Sequence, residues 1–152
     1  MEMGNFRTLG TAILIGLAAS TAMAERINIA SNASVETSVE RLTGAVEAAG
    51  ARVFTIVDFA QGNASVGETL RPTTVVLFGS PKIGATALQQ EQTMALYLPL
   101  RILFFEDVNG QTWATYDEPT AIAPSHGLAS DNPAVLRMQG ALEKFSAIAA
   151  GL

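Results

Sequence analysis

Eight residues, Gly79-Ser80-Pro81-Lys82-Ile83-Gly84-Ala85-Thr86, carry much of the spacing of a phosphate-binding loop, with two glycines after an apolar run and before a helical pattern. That chemistry needs a lysine directly after the second glycine to reach the phosphates, and Ala85 stands there. Nucleotide hydrolysis is therefore not expected. A smaller activity survives: backbone N–H groups at the helix start, with Lys82 beside them, can hold a small anion or carboxylate. Gly79, Ser80, Pro81, Lys82 and Gly84, with Arg71 at the head of the same stretch, are the ligand-binding candidates. The plain alternative is that Gly and Pro shape a strand-to-helix turn and Lys82 is solvated.

The chain has one histidine, His126. Ser125 precedes it, but neighbouring side chains in a loop diverge, and no Gly-x-Ser-x-Gly elbow is present to present a nucleophile. As a general acid or base, His126 would need an orienting carboxylate, and Glu106 or Asp107 is the candidate partner. The plain alternative is a histidine that hydrogen-bonds a loop. With no cysteine, and with Met94 and Met138 at core spacing, a zinc or soft-metal site lacks ligands. Glu106, Asp107, Asp117 and Glu118 flank a hairpin where a hard cation could be held, although such strand-end acids are ordinarily solvated. No metal site and no cofactor is expected.

The formal charge of -5 on 152 residues, with no basic cluster, excludes a nucleic-acid partner that would have to be held through its phosphates. Length and composition suit one domain. Residues 1–24 read as a secretory signal peptide: Arg7, the apolar run from Leu9 to Leu17, then Ala22-Met23-Ala24 as the cleavage pattern. The apolar run is shorter than the roughly 20 residues of a spanning helix, so no stable membrane insertion is expected after cleavage near Ala24. Residues 25–152 then form a single periplasmic or secreted domain. Without disulfides, burial and hydrogen bonds alone must hold it.

The elements that would position these groups follow from periodicity. Arg26 to Ala30 alternates as a short strand. Ser34 caps a helix whose Val35, Val39, Leu42 and Val46 share one face, with Gly50 at its end. Val53 to Phe59 is a second strand, broken by Gln61-Gly62-Asn63. Thr73 to Phe78 is nearly all apolar, which implies burial on both faces or a place at the sheet centre. Ala85 to Ala95 gives a short helix, and Arg101 to Glu106 a fourth strand. Asn109-Gly110 predicts a hairpin to Gln111–Tyr116 in which both central residues take positive φ. Asp131 or Asn132 caps a closing helix with Pro133 in its first turn. On it Val135, Met138, Leu142, Phe145 and Ile148 form the apolar stripe. Most of the strand aromatics must be core, with Phe104 and Phe105 on opposite faces and one face left open to a ligand or a second copy.

Several ordered blocks carry a family resemblance. Val35 through Gly50, Ala64-Ser65-Val66-Gly67 to Leu70-Arg71-Pro72-Thr73-Thr74, Phe78-Gly79-Ser80-Pro81-Lys82, Leu98-Pro99-Leu100-Arg101 to Glu106-Asp107, and Tyr116 to Pro119 resemble the domain of unknown function 302 family, from about Ile27 to Leu128. The resemblance implies a TATA-binding-protein-like β-α-β-β-β-β-α arrangement. This is an α+β two-layer domain with a mainly antiparallel sheet, a packed helix pair and a short extra helix after the third strand. It implies no activity. The chain departs from the family pattern at Phe59, where His is common, at Ser80, where Asn is common, and at Ala85-Thr86-Ala87 in place of Thr-Pro-Leu. His126-Gly127-Leu128 and Pro81-Lys82 keep it.

The expected function is a non-catalytic binding module for a small apolar or anionic ligand. A self-associating accessory protein is the second expectation, and an enzyme using His126 with a carboxylate the third.

Overall fold

The computed structural model of the chain describes residues 25–152. The signal-peptide expectation lies outside them. Arg26–Ala30 forms β1, and the Ser34 hydroxyl then accepts from the Thr37 amide to start α1, Val35–Ala48. The helix ends as its sequence implies: Gly50 takes φ 71°, its N–H reaches Glu47 O, and the Ala51 N–H reaches Val46 O. β2 covers Arg52–Asp58 with a bulge between Val53 and Thr55. The Asp58 carboxylate caps a short helix at the Gln61 amide, so α2, Phe59–Ala64, replaces the break expected at Gln61-Gly62-Asn63, and Phe59 leaves the strand.

β3 is Thr73–Gly79, and α3, Pro81–Gln90, starts four residues earlier than the spacing suggested. Pro81 fits a first helical position, because its fixed φ is helical and its missing N–H has no intrahelical partner there. Gly84 therefore lies inside a helix rather than in a loop. A 3₁₀ turn, Gln92–Tyr97, completes the segment. β4 (Leu100–Glu106) and β5 (Thr112–Asp117) form the hairpin. Its turn differs from expectation: only Gly110 has positive φ, at 80°, and its N–H bonds Asp107 O. Asp107 accepts from the Asn109 and Gln111 amides, which stabilises an ordinary turn at Val108-Asn109 followed by left-handed Gly110. α4 (Pro119–Ile122) runs into a 3₁₀ turn, Ala123–His126, and α5 (Pro133–Ala150) closes the chain from an Asn132 cap.

The sheet order is β1-β5-β4-β3-β2 with every neighbouring pair antiparallel, so β4 is central and β3 lies one strand in from an edge. The architecture is α+β, with α1 and α5 packed together on one face. Thr74, Val76 and Phe78 of β3 and Leu100, Ile102 and Phe104 of β4 are buried beneath them, and Phe78 meets Phe145 edge-on at 5.5 Å. β3 is thus buried fully on one face only. On α5 the stripe turns from Phe145 to Ala149, leaving Ile148 exposed, because a spacing of four keeps it above the sheet.

Among the described residues no helix covers the other face. Rows run straight across it, such as Val57, Val75, Leu103, Thr115 and Asn28. Phe105 stands on this face while Phe104 is buried, as the alternation requires. Phe54 and Phe59 are exceptions to the expected aromatic core, being about half exposed.

Candidate functional site

The strand-to-helix turn opens onto a cleft of about 380 Å³. Gly79, Ser80, Pro81 and Gly84 form one side, and Leu98, Pro99 and Leu100 another, with Phe54, Leu88 and Ala95 completing the wall. Local sequence explains the opening. The bulge in β2 leaves Phe54 beside Gly79, whose missing side chain would stand 3.8 Å from the ring, and an added Cβ on Gly84 would stand 3.6 Å from Leu98 Cδ1. No lining residue is ionisable. Ser80 supplies the one side-chain hydroxyl, and it makes no capping hydrogen bond to α3. Such a space accepts apolar volume with one polar end.

The sequence grouping is therefore only partly preserved. Gly79, Ser80, Pro81 and Gly84 converge, whereas Lys82 is exposed outside the lining. Arg71 stands at the far end of β3, about 20 Å of strand away, where its Nε donates to Glu106 O at 3.0 Å. Phe54, Leu88, Ala95 and Leu98 were not foreseen as site residues. The Val-Phe-Thr run of β2 was the signal for Phe54, but its bulge was not readable.

His126 has different neighbours from those anticipated. Its Nδ1 lies 2.7 Å from Thr93 Oγ1, and its ring meets Tyr97 edge-on at 5.3 Å. Glu91 Oε1 accepts from the Thr93 amide at 3.0 Å and from the Thr93 hydroxyl at 2.8 Å. The Thr93 amide, then its hydroxyl, hold Glu91 below the usual 4.5, with His126 contributing in the same direction against slight desolvation. Arg101 closes the group by packing over Tyr97 and donating to Leu96 O. Glu106 is at the other end of β4, about 20 Å from the Leu100 end that adjoins this cluster. The His126–Glu106 pairing therefore does not form.

Asp107 is committed to the hairpin. Trp113 Nε1 donates to Oδ2 at 3.0 Å, and the Gln111 and Asn109 amides donate to Oδ1. These donors, with Arg71 nearby, hold its carboxyl below the usual 3.8. Asp117 pairs with Arg26 at 3.8 Å at the opposite end of β5, so the four hairpin acids do not approach one another. Among the described residues no three His, Cys, Asp or Glu side chains converge on a common point.

The uncovered sheet face forms a second, larger trough of about 970 Å³, lined by Phe59, Leu77, Phe105 and Trp113 together with Arg26 and Arg101.

A family model described as "Domain of unknown function DUF302" matches residues 27–145. The chain belongs to the DUF302 family. A crystal structure of an uncharacterised conserved DUF302 protein from Bacillus stearothermophilus superposes with a TM-score of 0.67 at 17% identity, covering 83% of this chain and 95% of that one. That likeness establishes the shared fold. Two curated relatives are 34% identical over 125 residues, or 80% of this chain. They are named fluoride-specific ion channel FluC 1, from Brucella suis biovar 1 (strain 1330) and Brucella abortus biovar 1 (strain 9-941). The DUF302 chain spans about half the length of each, 49% and 46% respectively. Among the described residues no helix is long and apolar enough to cross a membrane.

Proposed function

We propose that this DUF302 domain is a non-catalytic binding module, exported to the periplasm, that takes a small apolar molecule with one polar end into the cleft at the Gly79–Gly84 turn. The observation that carries the reading is the lining. About 380 Å³ lies within the usual range for a small-molecule site, and every wall is apolar or backbone except the Ser80 hydroxyl. Acid–base catalysis has no group there, and His126 is engaged with Thr93 instead. A ligand would place its apolar body against Phe54, Leu88 and Leu98 and its polar end at Ser80 and the start of α3.

Titration of the purified protein with an environment-sensitive apolar fluorophore, followed by displacement with apolar alcohols and acids, tests this. Saturable binding abolished by Gly84→Leu, which fills the cleft, is the expected result. Binding unaffected by Gly84→Leu would overturn it. Export is tested separately by fractionation: the periplasmic form should begin at Glu25.

The Brucella relatives favour a second reading, an accessory domain beside a small-anion channel, because the region matched is about half of a longer chain named for one. Co-purification with a membrane channel of the same host is the discriminating measurement.

A further inference from the structure

Phe54 forms a wall of the apolar cleft, yet it is 48% exposed, and a cation is held on its ring. The Arg52 guanidinium carbon lies over that ring, 5.6 Å from the centroid. The register of β2 explains the pair. Arg52 is directly opposite Gly79, and the bulge between Val53 and Thr55 leaves Phe54 without a partner, its ring beside the same glycine. Opposed residues of antiparallel strands stand about 4.5–5.5 Å apart at Cα. Arg52 therefore rises next to the residue at which the cleft begins, with no side chain on Gly79 to separate them.

Arg52 is exposed, and among the described residues it forms no ion pair. A guanidinium held over an aromatic ring keeps its N–H donors, which lie in its own plane, for another acceptor. Those donors form a fork that fits a carboxylate through two parallel hydrogen bonds. The cleft by itself selects against such a group, because apolar walls strip an anion of its hydration and the net charge of -5 repels it from a distance. A cation at the rim reverses that preference for one class of molecule, an apolar body whose single carboxylate stays at the mouth. We infer that the cleft takes an apolar monocarboxylic acid as its anion, and that Arg52 is the residue that sets this specificity. The inference rests on the binding reading above and names the chemistry of the polar end. The apolar chain lies between Phe54, Leu88 and Leu98, and the carboxylate meets the Arg52 fork beside the exposed part of Phe54.

The test is displacement of an apolar fluorophore from the purified protein by octanoate and by 1-octanol, which share a chain and differ in the head group. Arg52→Gln should bind octanoate roughly fivefold more weakly than the wild type, the upper end of what an exposed ion pair contributes, with octanol affinity the same in both. The octanoate advantage should shrink as salt is raised, and Arg52→Lys should keep part of it, since lysine retains the charge and loses the fork. Lys82→Gln removes another exposed cation of the same turn and should leave the preference in place. Equal octanoate affinity in the wild type and Arg52→Gln, or a preference lost in Lys82→Gln instead, would overturn this inference and leave the cleft reading standing. Equal weakening of octanoate and octanol in Arg52→Gln would show that Arg52 only braces the Phe54 ring, and overturns it as well. Failure of both molecules to displace the probe, or displacement unchanged by Gly84→Leu, would remove the cleft reading and this inference together.

Discussion

The Thr93 hydroxyl and the His126 imidazole, 2.7 Å apart, join two 3₁₀ turns separated by 33 positions in the chain. The protons in this contact are fixed by their neighbours. An ionised Glu91 can only accept, so the single Thr93 hydroxyl proton points to Glu91, and His126 must donate from Nδ1 to the Thr93 oxygen. The first of these turns also carries Ala95, a wall of the apolar cleft, so the histidine contributes to the site by holding its frame.

Thr93→Val should therefore destabilise the domain by about 0.5–1.5 kcal/mol, the usual net worth of one hydrogen bond. His126→Ala should cost a similar amount, and the double variant less than the sum, since both remove one contact. Urea denaturation of the four proteins gives the cycle. Nitrogen-15 spectra of the imidazole should show Nδ1 protonated in the wild type and a mixed tautomer in Thr93→Val.

Asp107 offers a pH readout through the single tryptophan. Its carboxyl is depressed chiefly by the Trp113 N–H, then by the Gln111 and Asn109 amides. A depressed carboxylate contributes stability that is present above its unfolded value and is lost as pH falls through the folded one. The hairpin should thus weaken only below about pH 3.8. Trp113 fluorescence followed on acidification should change in that window, and the melting-temperature difference between wild type and Asp107→Asn should shrink there. A transition centred above the ordinary aspartate value would contradict the geometry.

The order of strands and helices was legible because its signals are local: Ser34 as a cap, Gly50 as a stop, and the Val35–Val39–Leu42–Val46 stripe each act within one turn. Two kinds of feature were hidden. The bulge that turns Phe54 toward Gly79 depends on pairing with a strand about twenty residues away, which no local period encodes. The Thr93–His126 contact likewise depends on where α3 and α4 deliver their ends. Phe59 was read into β2 because aromatic residues favour strands, but the Asp58 cap at Gln61 outweighed propensity. The cleft was half legible, since its Gly-Ser-Pro turn is in one stretch and its Leu98–Leu100 wall is in another.

Gly84 occupies a helix interior without needing its conformational freedom. An alanine Cβ there would meet Leu98 Cδ1 at 3.6 Å, an ordinary contact. Gly84→Ala should stabilise the domain by roughly 0.8–1 kcal/mol through helix propensity alone. It should also narrow the cleft, so that apolar ligands bind more weakly while the melting temperature rises. Opposite signs in calorimetric affinity and thermal stability are the signature. A loss of both would mean that Leu98 cannot accommodate the methyl.

Gly151 is the contrasting case. It ends α5 at φ 82°, and its carbonyl accepts from Asn32 Nδ2 at 3.0 Å, while Arg41 Nη1 holds Asn32 Oδ1 at 2.8 Å. These contacts lock the C-terminus of α5 to the start of α1. An alanine there suffers the left-handed backbone cost of about 1–2 kcal/mol, and its Cβ would collide with the Asn32 carboxamide and the Arg41 guanidinium. Gly50→Ala, at φ 71° with open space around it, suffers the backbone cost alone. Urea denaturation should therefore rank Gly151→Ala as the more destabilising, with the excess reduced when Asn32→Ala removes the nearer obstacle and releases the Arg41 guanidinium that it holds. Equal costs at the two glycines would show that the Asn32–Arg41 clamp yields freely, and the tie between α1 and α5 would then rest on their apolar packing.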